Sequence, residues 1–300
     1  MMSTGWLRTE VREFGNSGLK VSVLGYGAGQ LGTSRLTEQE ADKFLNAVLD
    51  VGVTLVDTAR GYGQSEERIG KFLSHRRNEF VLSTKVGYDV EGYQDWTYDC
   101  IIAGVERALR LMRTDVIDIV HLHSCPVEIL KNGEVVDALE EMVEQGKVRV
   151  AAYSGENEAL DYAVSTGRFG SVQFSLNITD QRSIEKVIPT AKRKGIGIIA
   201  KRPIANAPWR FADKPVGDYA EEYWVRWKKM NLKFGIDPQE LFLRFSAFTD
   251  GVGSCIVGTT NIDHLRKNIQ AVGKGPLPAD IVSAIRKTFK ENDAGWVGLV

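Results

Sequence analysis

The feature that most restricts the fold of this chain is a regular alternation of short apolar runs with stretches patterned for helices. The runs fall at 53–56, 80–85, 116–123, 148–153, Ser171–Ser175, 196–200 and Ser254–Val257, after a first one ending at Gly27. Between them lie apolar residues at helical spacing, such as Ala41, Phe44, Leu45, Val48 and Leu49 after the capping box Thr37-Glu-Gln-Glu40. Ile101, Val105, Ala108 and Met112 form a second such face, and Val135, Leu139, Met142 and Val143 a third, which stops at Gly146. Further helices are expected near 159–164, over 184–194, from the Asp237-Pro-Gln-Glu240 start through 241–248, and from Asn261 through Leu265 and Ile269. Strands that are apolar throughout are buried on both faces, which parallel pairing with covering helices provides. Eight strand–helix units predict a closed (β/α)8 barrel of the α/β class.

Two segments fall outside the repeat. Residues 11–23 hold two short extended pieces around Gly15-Asn-Ser-Gly18, a hairpin pattern ahead of the first barrel strand. Between strands seven and eight, residues 201–236 carry Trp209, Phe211, Tyr219, Trp224 and Trp227. A connection that long in a barrel is usually functional, and it predicts a loop plus a helix over 219–232 at the barrel mouth.

A length of 300 residues suits one barrel, and no shift in composition marks a second domain, so 1–300 is expected to be a single unit. The hydrophobic share of 43% supports a sizeable core, and a net charge of −1 gives no basic surplus for nucleic acid or an anionic membrane. Cys100, Cys125 and Cys255 are odd in number and widely spaced, arguing against a disulfide framework or a zinc site. Met1-Met-Ser-Thr-Gly-Trp6 has neither a basic nor an apolar leader region, and no apolar run is long enough to span a membrane. A soluble, cytoplasmic protein is the expectation.

The active site of such a barrel lies at the C-terminal ends of its strands. Asp57 follows strand two, with Tyr62 on the next loop; Lys85 follows strand three and His123 ends strand four. Singly, each has a structural reading, as a cap, a packed ring, a surface lysine or a satisfied histidine. Four on three successive strands point to proton transfer coupled to carbonyl reduction. A tyrosine of ordinary pKa, about 10, is protonated at neutral pH and can act as an acid. A lysine ammonium stabilises the tyrosinate left behind, an aspartate holds that lysine charged, and a histidine hydrogen-bonds the substrate oxygen.

These residues lie in segments that resemble the aldo-keto reductases. The segments are Val56-Asp-Thr-Ala-Arg-Gly-Tyr-Gly63 with Ser65-Glu66 and Ile69-Gly70, Ser83-Thr-Lys-Val86, Thr114-Asp-Val-Ile-Asp-Ile-Val-His-Leu-His123 and Gly146-Lys-Val-Arg149, with Gly18-Leu-Lys-Val-Ser22 in the hairpin. The resemblance covers nearly the whole chain. It implies a (β/α)8 barrel, a nicotinamide cofactor and catalytic roles for Asp57, Tyr62, Lys85 and His123. Spacing from Asp118 selects His123 rather than His121, two residues earlier.

For the cofactor, the resemblance places carboxamide-binding residues at Ser154 and Gln173, with Gly155 where asparagine is usual and Asn157 as its substitute. The glycine-dense strand end at Gly27 and Ala28 permits close approach of a ligand, and Asp57 borders the same place. Gly258, Thr259, Thr260, His264, Lys267 and Asn268 match the adenosine-phosphate segment, where a helix N-terminus favours phosphate. Gly258 and His264 replace the lysine and arginine that grip a 2′-phosphate, so NADP(H) is expected with NAD(H) admitted. Lys201, Arg202 and Pro203 stand where a tyrosine stacks on the nicotinamide; Arg202 is expected to supply a flat cation there, on the extended backbone that a following proline favours. The tail at Trp296 and the loops at 87–96 and around Trp209 are the expected substrate contacts.

The reading is therefore an NADP(H)-dependent reductase of a small aldehyde or ketone. One alternative is a nucleotide-sensing regulatory subunit on the same fold, as channel-associated relatives of the family suggest. A metal-dependent barrel isomerase is poorly served by four histidines and no carboxylate cluster at the strand ends, so no metal is expected.

Overall fold

A computed structural model describes residues 9–33 and 35–299. The N-terminal leader reading therefore lies outside the described residues. Strands β1 (Val11–Glu13) and β2 (Lys20–Ser22) pair antiparallel as the expected hairpin. Eight parallel strands then close a barrel: β3 (Leu24–Gly27), β4 (Leu55–Asp57), β5 (Val81–Val86), β6 (Ile117–His123), β7 (Val148–Ser154), β8 (Ser171–Ser175), β9 (Gly197–Lys201) and β10 (Ser254–Val257). β10 pairs with both β9 and β3, so the barrel has no open edge.

Helices α1 (Glu38–Asp50), α2 (Ser65–Leu73), α3 (Tyr98–Met112), α4 (Val127–Asn132), α5 (Glu134–Glu144), α6 (Asn157–Thr166) and α7 (Val187–Arg193) cover the outer face in turn. The predicted capping box forms: Thr37 accepts from the Glu40 amide, and Glu40 accepts from the Thr37 amide. α7 begins later than the spacing suggests. Pro189 lacks an amide hydrogen and is tolerated only in a first turn, so the helix starts at Val187 after a separate short turn at Arg182–Ile184.

Strand periodicity divides the core. Outward residues pack under the helices, while Leu55, Val81, Ile119, Val150, Ile199 and Ile256 fill the barrel interior with Phe14, Leu19 and Val21 of the hairpin region. Towards the C-terminal ends the inward positions turn polar: Asp57, Ser83, Lys85, His121, His123, Ser154, Gln173 and Lys201.

The long connection holds a short turn at Pro208–Arg210 and α8 (Glu221–Met230). α8 packs beside the segments that follow β8 and β9, against Ile178 and Ala205. Its Tyr223 and Met230 pack with Phe242 of α9 (Pro238–Ala247), and with Ile285 and Phe289 of α11 (Ala279–Asn292), which follows α10 (Ile262–Gly273). The loop before α8 lines the mouth through Ile204, Asn206, Ala207 and Arg210. No helix among the described residues is long and apolar enough to cross a membrane.

Candidate active site

Period-two geometry brings residues from different strands onto one level. Register pairs Asp57 with Ser83, Lys85 with His121, His123 with Ser154, and Ser154 with Gln173. Asp57 and Lys85 are both 1% exposed and form an ion pair of 2.5 Å. Burying two charges costs several kcal/mol each unless the remaining hydrogen-bonding capacity is met. It is met here. The second Asp57 oxygen accepts from Ser83 Oγ at 2.7 Å and Gln173 Nε2 at 3.0 Å, and Lys85 Nζ also donates to the Thr58 carbonyl at 2.7 Å. Ser154 Oγ donates to Gln173 Oε1 at 3.0 Å, which turns the amide so that its NH2 faces Asp57. Burial alone depresses the Lys85 ammonium, but Asp57 and then Tyr62 outweigh it, and its pKa is raised overall.

Tyr62 stands half-buried above this pair, with Lys85 Nζ 5.1 Å from its ring centroid. Its loop is fixed by a tight crossing: Gln64 N–H donates to the Gly32 carbonyl, and a Cβ on Gly32 would fall 1.6 Å from the Tyr62 carbonyl oxygen. Only glycine fits at that crossing. Ser65 secures the same loop through Thr58 Oγ1 at 2.8 Å and the Ala28 carbonyl at 3.0 Å. The His123 ring meets the Tyr62 ring edge-on, centroids 6.1 Å apart. His123 Nδ1 lies 2.8 Å from Tyr88 Oη, and among the described residues its Nε2 has no hydrogen-bond partner.

His121 sits one layer deeper, fully buried, with Nε2 3.2 Å from Ser83 Oγ. Burial pushes His121 down to about 3 against the pull of Asp57, and pushes His123 down to about 2, aided by the Lys85 and Lys201 ammonium groups. Both imidazoles are neutral in the fold, whereas an unfolded histidine titrates near 6.5. Below about pH 6.5 the unfolded chain takes up protons that the fold refuses, so stability falls as pH falls towards 3. Each histidine contributes a slope of about 1.4 kcal/mol per pH unit. His121→Gln should flatten the acid limb of stability against pH by that amount in urea melts; an unchanged slope would show that His121 is protonated in the fold.

From Tyr62 a cleft of about 550 Å³ runs to the start of α10. Its wall includes Gly27, Asp57, Lys201, Arg202, Pro203, Arg210, Gly258, Thr259, His264 and Asn268. Ala28, Thr260 and Lys267 are not on that wall, and Ser154 and Gln173 stand behind Asp57. Lys201 pairs with the buried Glu156 at 3.2 Å. Burial lowers the Lys201 pKa and Glu156 opposes the shift. Arg202 donates to Ser175 Oγ at 3.2 Å and to the Leu299 carbonyl, and its φ of 53° is left-handed rather than extended as a pre-proline position favours. The Asn157 amide is committed to Gly298 of the tail on both sides, at 2.8 and 3.0 Å.

Ser83 and Glu156 contact site residues without having been assigned a role from sequence, and Tyr88, on a loop expected to contact substrate, meets His123. Ser83 was legible, because it lies two residues before Lys85 and so faces inward with it. A second hollow of about 550 Å³, at the other barrel end beside Arg77, Asp118 and Arg149, has its charges already paired at 2.6 and 3.1 Å. Among the described residues no three His, Cys, Asp or Glu side chains are grouped to hold a metal ion.

Residues 23–290 match the model of the Aldo/keto reductase family. The holo form of an aldo-keto reductase from Bacillus halodurans superposes with a TM-score of 0.81 at 29% identity, covering 94% of this chain and 96% of that one. A Bacillus subtilis protein described as "Uncharacterized oxidoreductase YqkF" is 27% identical, over 94% of this chain and 97% of its own length. A rice protein described as "Probable voltage-gated potassium channel subunit beta" is also 27% identical, over 89% of this chain and 92% of its own.

Proposed function

The chain belongs to the aldo/keto reductase family, and on that premise we propose that it is a single-domain, cytoplasmic, NADP(H)-dependent reductase of a small aldehyde or ketone, with Tyr62 as the general acid. The observation that carries this reading is the buried Asp57–Lys85 pair beneath Tyr62, with His123 beside it at one end of a long polar cleft.

The cleft suits a dinucleotide. Its far end is the N-terminus of a twelve-residue helix, α10, approached through Gly258 and Thr259, where outward amide groups favour phosphate. Asn268 lies beside it, and Lys201, Arg202 and Arg210 add positive charge along the wall. Ser154 and Gln173, which the resemblance assigns to the carboxamide, bond to each other and to Asp57 behind that wall. When bound, the reduced nicotinamide supplies a hydride to the carbonyl carbon. Tyr62 gives its proton to the carbonyl oxygen; the Lys85 ammonium stabilises the tyrosinate that results, and Asp57 keeps Lys85 charged. His123, neutral, donates a hydrogen bond that fixes the angle of the same oxygen.

NADPH should bind more tightly than NADH, but by a modest ratio. Gly258 and His264 stand where a lysine and an arginine would grip a 2′-phosphate, so the strongest charge-assisted phosphate contacts are missing. Titration of each nucleotide against protein fluorescence measures the ratio, and equal dissociation constants would remove the NADP assignment. A second reading, a nucleotide-binding regulatory subunit, draws on the likeness to the rice protein. Nucleotide binding without turnover of any carbonyl would favour it.

A further inference from the structure

Tyr88 stands just beyond β5, on the loop that faces the Tyr62–His123 pair. Its place is set by Gly87, whose φ of 139° is open to glycine, and where a Cβ would fall 2.1 Å from the Trp96 indole. The loop folds back so that the Trp96 amide donates to the Gly87 carbonyl at 2.8 Å and the indole lies 5.9 Å from the Tyr88 ring. Tyr88 is thereby pressed flat against His123, with ring centroids 5.5 Å apart, an interplanar angle of 27°, and its hydroxyl 2.8 Å from Nδ1.

A neutral imidazole carries one proton for two nitrogens, and the hydrogen bond at one fixes the other. A phenol O–H is a far stronger acid than a neutral imidazole N–H, and an unprotonated imidazole nitrogen is a better acceptor than a phenol oxygen. The 2.8 Å contact is therefore an O–H donated to Nδ1. Nε2 then bears the hydrogen and, without a protein partner, is left to donate elsewhere. The opposite tautomer would present a lone pair at Nε2 to the lone pairs of a carbonyl oxygen and repel it.

We propose that Tyr88 is a positioning residue that holds His123 as the Nε2–H tautomer, so that His123 donates to the substrate oxygen. This rests on reading His123 as the group that contacts that oxygen. Tyr88 is a poor second acid, because burial and then Tyr62 raise its pKa.

The test is nitrogen-15 NMR of the full-length protein labelled at histidine, with the His123 signals identified by their loss in His123→Asn. The native protein should show a protonated Nε2 and an unprotonated Nδ1. Tyr88→Phe, which keeps the stacked ring, should show both tautomers, and should lower kcat by about tenfold with a smaller change in KM. A native Nδ1–H tautomer, or an undisturbed Nε2–H tautomer in Tyr88→Phe, would overturn the proposal. The tautomer is read without turnover. An inactive protein with the expected signals would defeat the reductase reading alone, and an active one with unchanged signals in the variant would defeat only the role of Tyr88.

Discussion

Tyr62→Phe should lower kcat for carbonyl reduction by about two to four orders of magnitude, with nucleotide dissociation constants nearly unchanged. The phenylalanine ring preserves the edge contact with His123 and the approach of Lys85 Nζ to the ring face, so the loop held by Gly32 and Ser65 should keep its shape. Only the hydroxyl is lost. Steady-state kinetics together with a fluorescence titration separate the two effects. Turnover within a few-fold of the native rate would remove Tyr62 as the acid, and a matched loss of nucleotide affinity would mean that the hydroxyl serves nucleotide binding instead.

Asp57→Asn is the second large effect, and it is read first in stability. Lys85 is 1% exposed, and once the carboxylate is gone its ammonium keeps the Thr58 carbonyl, Tyr62 and a neutral amide, with no full counter-charge. Removing one partner of a buried pair costs about 3–5 kcal/mol, because the other charge is left without compensation. The raised pKa of Lys85 means that the pair's contribution is present below the unfolded lysine value, about 10.4, and is lost as pH rises through the folded one. Urea melts at neutral pH should therefore show the full loss, with activity falling too because Tyr62 loses its counter-charge. The double variant Asp57→Leu with Lys85→Met removes both charges and should recover part of the stability, since Ser83 and Gln173 lose their acceptor, and none of the activity. If Asp57→Asn is as stable as the native protein, Lys85 is not held charged by this carboxylate.

The barrel was legible because its determinants are local. Each strand is a short apolar run and each covering helix a periodic face, so a window of a few residues carries the signal. The position of the candidate residues was legible for the same reason, since Asp57, Lys85 and His123 each end or nearly end a strand. α11 was not anticipated, although Val282, Ile285 and Phe289 carry a helical spacing and Ile285 and Phe289 are buried. It follows no strand, and the repeat was already complete at eight units. Longer-range contacts left no local trace. Tyr88 reaches His123 across 35 residues of sequence because of the backbone turn at Gly87, and Glu156 meets Lys201 only because β7, β8 and β9 are neighbours. Arg202 shows local propensity overridden. The proline after it favours an extended backbone, yet contacts with Ser175 and the Leu299 carbonyl accompany a left-handed one.

The central claim is that this chain moves a hydride to a carbonyl carbon while Tyr62 supplies the proton. NADPH deuterated at the transferable position of its nicotinamide, incubated with the protein and a panel of small aldehydes and ketones, tests it most directly. The account predicts product alcohol carrying deuterium on the former carbonyl carbon, formed by the native protein and reduced to a trace with Tyr62→Phe. Saturable NADPH binding with no label in any alcohol across the panel would contradict it and leave a nucleotide-binding subunit in its place.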